Sequence, residues 1–120
     1  MKRSIIFYVQ DILDAITYIE RYVEKMNKQE FEQDPKTQDA VIRRIEIIGE
    51  AAKHIPESFR NKYTKVPWKK LSGIRDVLIH AYLEVKIDRI WKITQEDIPL
   101  LKQDLSSIVA KESNESSLSQ

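Results

Sequence analysis

The sequence predicts an all-α protein built as an antiparallel four-helix bundle, and three observations carry that prediction. Apolar residues recur alternately four and three apart over long stretches. No segment alternates with period two, and the 120 residues hold only two Gly and four Pro, so little interrupts regular helix. Four long helical patterns with short connections pack most simply as an antiparallel bundle.

The first seam is Ile5, Val9, Ile12, Ile16, Ile19, Val23 and Met26, widened by Ile6 and Leu13, which places a helix over residues 4–26. Residues 27–35 are polar and end in Asp-Pro, a break signal because the residue before proline is pushed out of the helical region. A second seam follows in Val41, Ile45, Ile48, Ala52 and Ile55, closed by Pro56; Gly49, Ala51 and Ala52 leave room for a close neighbour. Residues 59–67 read as a connector with at most a short helical turn. Pro67 then opens a third helix over residues 68–80, with Leu71, Ile74 and Leu78 as its stripe. The fourth seam is Ile87, Trp91, Thr94, Ile98, Leu101, Leu105 and Ile108, and Pro99 is expected to kink it near residues 95–97, since proline cannot donate to the helical ladder. Residues 113–120 are Ser-rich without apolar periodicity and are expected to be a disordered tail, leaving residues 1–112 as the helical domain.

Lys plus Arg number 20 against 19 Asp plus Glu, so no global field drives the chain onto nucleic acid or anionic lipid. The absence of Cys excludes disulfides, thiolate metal sites and a Cys nucleophile. Gln10, Asp11 and Asp14 interrupt the apolar run after Lys2 and Arg3 far short of a signal sequence or a membrane span, and a cytoplasmic address is expected. The charge map is more informative than the net charge. Residues 58–75 carry Arg60, Lys62, Lys65, Lys69, Lys70 and Arg75 with no acid at all. Phe59, Tyr63 and Trp68 are interleaved with them. Cations beside aromatic faces suit single-stranded nucleic acid; the same pattern also describes a solvated loop whose aromatics cap the bundle.

Next comes Arg75-Asp76-Val77-Leu78-Ile79-His80-Ala81-Tyr82. Arg75 offers a permanent cationic fork for phosphate, and His80 can give or take a proton near neutrality. Asp76, one turn before His80, is in position to hydrogen-bond its imidazole. Five residues apart, Arg75 and His80 point roughly 140° from each other on a regular helix. Either the helix ends near His80, or a second copy supplies the facing half of a site. His54 has no partner at metal-ligand spacing, no glycine loop cradles phosphate, and neither a metal nor a cofactor is called for. Arg43 and Glu50 share a helix face and are a candidate ion pair or part of a solvated face; Asp11 and Asp14 read as structural polar residues.

The stretch Val41-Ile42-Arg43-Arg44-Ile45-Glu46-Ile47-Ile48-Gly49-Glu50-Ala51-Ala52, the pair Pro67-Trp68, Gly73-Ile74-Arg75-Asp76 and His80-Ala81-Tyr82 together resemble the HepT-like family of the HEPN superfamily, over most of residues 5–105. The resemblance implies a HEPN-type helical bundle that dimerises, with two R-x4-6-H motifs facing each other across the dimer cleft. It implies a metal-independent endoribonuclease, the toxin half of a HEPN/MNT toxin-antitoxin pair. Carried over by position, Arg75 and His80 are the catalytic pair, Asp76 is the polar residue that often follows the Arg, and Tyr82 matches the tyrosine to which a partner nucleotidyltransferase adds AMP. Arg60, Lys62, Lys65, Lys69 and Lys70 are the residues expected to bind RNA. The alternative is a helical module with little nuclease activity, whose main role is to be held and modified by the nucleotidyltransferase.

Overall fold

The computed structural model describes residues 4–84 and 86–118, with only the backbone of Tyr82 and of residues 116–118, and everything described is helix or connector. Helix α1 (Ile5–Val23) buries Val9, Ile12, Ile16, Ile19 and Val23, the seam read from the sequence. Asp-Pro proves to be a start as well as a break. Pro35 is the first residue of α3 (Pro35–Lys53), and the Asp34 carboxylate accepts from the Thr37 backbone N–H at 3.1 Å and its hydroxyl at 2.7 Å. Those two bonds hold the Asp34 carboxyl below its ordinary range. Between the two long helices lies α2 (Lys28–Glu32), which hydropathy did not reveal. Its signal was a capping box: Asn27 accepts from the Glu30 N–H at 2.8 Å, and Glu30 accepts from the Asn27 N–H at 3.0 Å. The box presents Phe31 to the core, fully buried against Trp91 at 5.2 Å between ring centres.

The connector contains α4 (Glu57–Lys62), longer than the single turn expected. The predicted third helix is two: α5 (Trp68–Ser72) and α6 (Ile74–Leu83), interrupted at Gly73, the weakest helix former in the stretch. Both press on α3 at Gly49, where a Cβ would stand 2.8 Å from Ile74 Cγ2 and 3.1 Å from the Leu71 carbonyl. Helix α6 runs past the expected end at residue 80, through Ala81 and Tyr82 to Leu83.

Helix α7 (Ile87–Lys92) passes through a π-helical turn (Ile93–Asp97) into α8 (Ile98–Leu118). The turn lies where Pro99 was expected to disturb the helix: with no N–H to give and a ring that crowds the carbonyl four residues back, proline is accommodated by a wider turn. Ile98, Leu101, Leu105 and Ile108 are buried as expected, together with Ile90, which the seam passed over. The Ser-rich tail was expected to be disordered from residue 113, but α8 continues to Leu118. Lys62 grips its exposed face, reaching Glu112 at 2.9 Å and Glu115 at 2.7 Å, and the Tyr63 hydroxyl donates to Glu112. Helix α3 is the centre of the bundle, with α1 on one flank and α5 and α6 on the other, while α8 closes over α1. Among the described residues no helix is long and apolar enough to cross a membrane.

Candidate active site on helix α6

Because α6 is regular from Ile74 to Leu83, its side chains fall into rows one turn apart. Ile74, Leu78 and Ala81 form the buried row. Arg75, Ile79 and Leu83 form a second row, which walls a groove of about 450 Å³ against Asp39, Ile42 and Glu46 of α3. Asp76 and His80 stand on the far side of the exposed crest. Arg75 and His80 therefore face solvent on opposite flanks of one helix, with Ile79 (46% exposed) and Leu83 (73% exposed) between them. A helix ending at His80 is ruled out as the device that brings the pair together.

The His80 imidazole is 77% exposed, and its Nδ1 lies 3.8 Å from Glu84 Oε1, an ion-pair distance rather than a hydrogen bond. The expected partner was Asp76. Glu84, one turn further on and one methylene longer, takes that place, and no feature of the motif had singled it out. The other Glu84 oxygen binds the Lys86 ammonium at 2.9 Å. Lys86 first and His80 second hold the Glu84 carboxyl below its ordinary range, so it stays anionic beside the imidazole. The side chain of Tyr82, the expected modification site, lies outside the described residues.

The basic window divides into engaged and open cations. Arg60 donates to the Ala52 carbonyl at 2.7 Å, the Ile55 carbonyl at 2.9 Å and Ser72 Oγ at 2.8 Å, tying the end of α3 to α5. Lys62 is held by its two glutamates, whose hydrogen bonds push its ammonium above the ordinary lysine range. Lys65, Lys69 and Lys70 are exposed and make no ion pair among the described residues. The interleaved aromatics follow the capping alternative. Phe59, Tyr63 and Trp68 are 8, 9 and 4% exposed, and the Trp68 indole donates to the Tyr63 carbonyl at 2.9 Å. Arg43 and Glu50 do not pair; Glu50 binds Lys53 at 3.1 Å. His54 stacks on Tyr8 with ring centres 4.7 Å apart. Among the described residues no cluster of His, Asp and Glu could hold a metal ion.

A family model described as ribonuclease HepT-like matches residues 12–108. The chain belongs to the HepT-like ribonuclease family. Among its HepT-like relatives, a Thermococcus cleftensis protein named probable ribonuclease HepT is 47% identical over 102 residues, 85% of this chain and 93% of that one. A Caldanaerobacter subterraneus protein named as a candidate RNase is 39% identical over 88% of this chain and 94% of its own length. A third, from Methanocaldococcus jannaschii and named as a gamma-glutamylcyclotransferase and candidate RNase, is 41% identical over 91% of this chain, which spans only 49% of that protein. No solved structure matches the chain significantly.

Proposed function

We propose that this HepT-like protein is a metal-independent endoribonuclease whose site is built by two copies of α6. The observation that carries this reading is the placing of Arg75 and His80, both open to solvent, on either side of an exposed apolar crest. Covering Ile79 and Leu83 with the same surface of a second chain buries the crest and sets one motif against the other, as closed two-fold association requires. Two histidines then share one cleft. One takes the proton from the ribose 2′-hydroxyl as that oxygen attacks the adjacent phosphorus. The other gives a proton to the departing 5′-oxygen. Arg75 balances the charge gathered on the phosphorane. Glu84 keeps an anion beside each imidazole, and Lys65, Lys69 and Lys70 hold the flanking phosphates.

The same reading makes the protein the toxin of a HEPN/MNT pair, silenced when a partner nucleotidyltransferase adds AMP to Tyr82. A phosphodiester two residues beyond His80 would compete with RNA for the cationic groups of the cleft. The test is cleavage of a structured RNA in EDTA by wild type, Arg75→Ala and His80→Ala protein, each verified as folded. Cleavage by wild type alone is the expected result. Equal rates in all three end the catalytic assignment, and no cleavage by any of them favours the inactive, partner-held module. Mass spectrometry after co-expression with the nucleotidyltransferase is expected to map AMP to Tyr82 and to find none in Tyr82→Phe.

A further inference from the structure

Away from α6, on the opposite flank of α3, arginines gather around an exposed aromatic ring. The Arg44 guanidinium carbon lies 4.0 Å from the centre of the Tyr18 ring, within stacking distance, and its Nε donates to the Tyr22 hydroxyl at 3.3 Å. Arg21 approaches the same ring at 5.9 Å, and the Tyr22 ring lies 6.3 Å away, tilted by 35°. Tyr18 remains 40% exposed. Arg21 and Arg44 form no ion pair with any carboxylate among the described residues, and the nearby Glu20 is taken by Lys102 at 3.0 Å. Arg43 adds a third solvent-facing cation on the adjoining ridge of α3.

A core does not need this arrangement, since an arginine held only by a ring and a phenol contributes little to stability at the surface. It does match what single-stranded nucleic acid requires: a planar layer on which a base can be laid, with unpaired guanidinium groups beside it for the phosphates. We infer that Tyr18 and Arg44, supported by Arg21 and Tyr22, form a base-stacking platform that holds a single-stranded part of the RNA away from the scissile bond. The inference rests on the ribonuclease reading and adds a subsite to it. Helix α3 packs on both α1 and α6, and platform and groove lie on different faces of it, about 10–20 Å apart, one to two helix-packing distances. The substrate that fits is an RNA with several unpaired nucleotides on one side of the cut.

The experiment measures cleavage kinetics together with binding of a 2′-O-methylated, fluorescein-labelled single-stranded RNA that cannot be cut. Tyr18→Ala is expected to weaken binding and raise KM by about 5- to 150-fold, the range for removing one stacked base, with kcat unchanged. Tyr18→Phe is expected to bind like wild type, and Arg44→Lys to lose part of the affinity because an ammonium cannot stack as a plane. Oligonucleotides carrying one abasic site each are expected to show a single position whose loss costs wild type as much as Tyr18→Ala costs it, and costs Tyr18→Ala nothing more. Phe and Lys variants that bind alike, or abasic sites with no preferred position, overturn the platform while leaving cleavage intact. If wild type neither binds nor cuts RNA, the ribonuclease reading falls and the platform with it.

Discussion

Arg60 lies in the acid-free basic stretch of residues 58–75, yet its guanidinium is committed to two backbone carbonyls and a hydroxyl. Its charge serves folding, because it satisfies the Ile55 carbonyl just past the end of α3 and adds a second bond to the Ala52 carbonyl, which already accepts from the Ile55 N–H. Arg60→Ala is expected to lower unfolding stability by about 1.5–3 kcal/mol, measured by urea denaturation, the range for a charged hydrogen bond, here one whose loss leaves the Ile55 carbonyl unpaired. Replacing both Lys69 and Lys70 by Ala is expected to leave stability unchanged. It should flatten the dependence of log K for single-stranded RNA on log salt by about 0.7 for each phosphate that is no longer neutralised. For His80→Ala a fall in cleavage rate of about 100- to 10,000-fold is expected, the usual cost of losing a positioned proton carrier. The residue types of this site were legible in the sequence: a cation, a proton carrier and open lysines. Their partners were less so. The Arg60 acceptors lie five to twelve residues away across the turns between α3, α4 and α5, which periodicity does not describe, while Glu84 was near but competed with Asp76 for one imidazole, and only the helix end shows which carboxylate reaches it.

Helices α3, α5 and α6 meet at Gly49, where the sequence announced room for a neighbour and the structure fills it with Ile74 and the Leu71 carbonyl. Alanine there gains up to about 1 kcal/mol of helix propensity. It also drives a methyl into a stiff β-branched side chain and a backbone oxygen, an overpacking cost of about 1–3 kcal/mol. Gly49→Ala is therefore expected to be net destabilising, and less so when Ile74 is also replaced by Ala, a coupling that a double-mutant cycle in urea reads directly. A second expectation concerns the end of α8. Hydrogen bonds from Tyr63 and Lys62 hold the Glu112 carboxyl below its ordinary value of 4.5, so these bonds stabilise the docked helix end above that pH and give way as pH falls through the lower native value. Deprotonation of Lys62, held above 10.5, removes its share of the same contacts on the alkaline side. Amide exchange over residues 108–115, corrected for its intrinsic pH dependence, is expected to show protection falling on acidification well before global unfolding, with a flatter profile in Glu112→Gln. The long seams of α1 and α3 and the disturbance at Pro99 were legible because periodicity and proline act locally. The division at Gly73 and the helical tail were not, because packing against α3 and α4 decides them.

At the scale of the molecule, what remains to be satisfied is the outer surface of α6. Leu83 at 73% and Ile79 at 46% exposure are large apolar side chains beside a groove that already holds Ile42 and Leu78. Apolar surface of this kind, rimmed by charge, marks an interaction site more often than chance. Arg75 shares the groove with Asp39 and Glu46, so the same surface carries both signs. A two-fold axis through the crest can then oppose cation to carboxylate as well as apolar to apolar. Leu83→Glu places a charge where the second chain would sit, without touching the buried row of Ile74, Leu78 and Ala81. The variant is expected to keep its helical circular dichroism, to sediment as a monomer where wild type sediments at twice the chain mass, and to lose cleavage although Arg75 and His80 are intact. Leu83→Ala, which removes area without adding charge, is expected to dimerise more weakly and to recover activity as protein concentration rises. A monomeric Leu83→Glu protein that cleaves at the wild-type rate would show that each chain completes its own site, and the two-copy cleft would have to be abandoned.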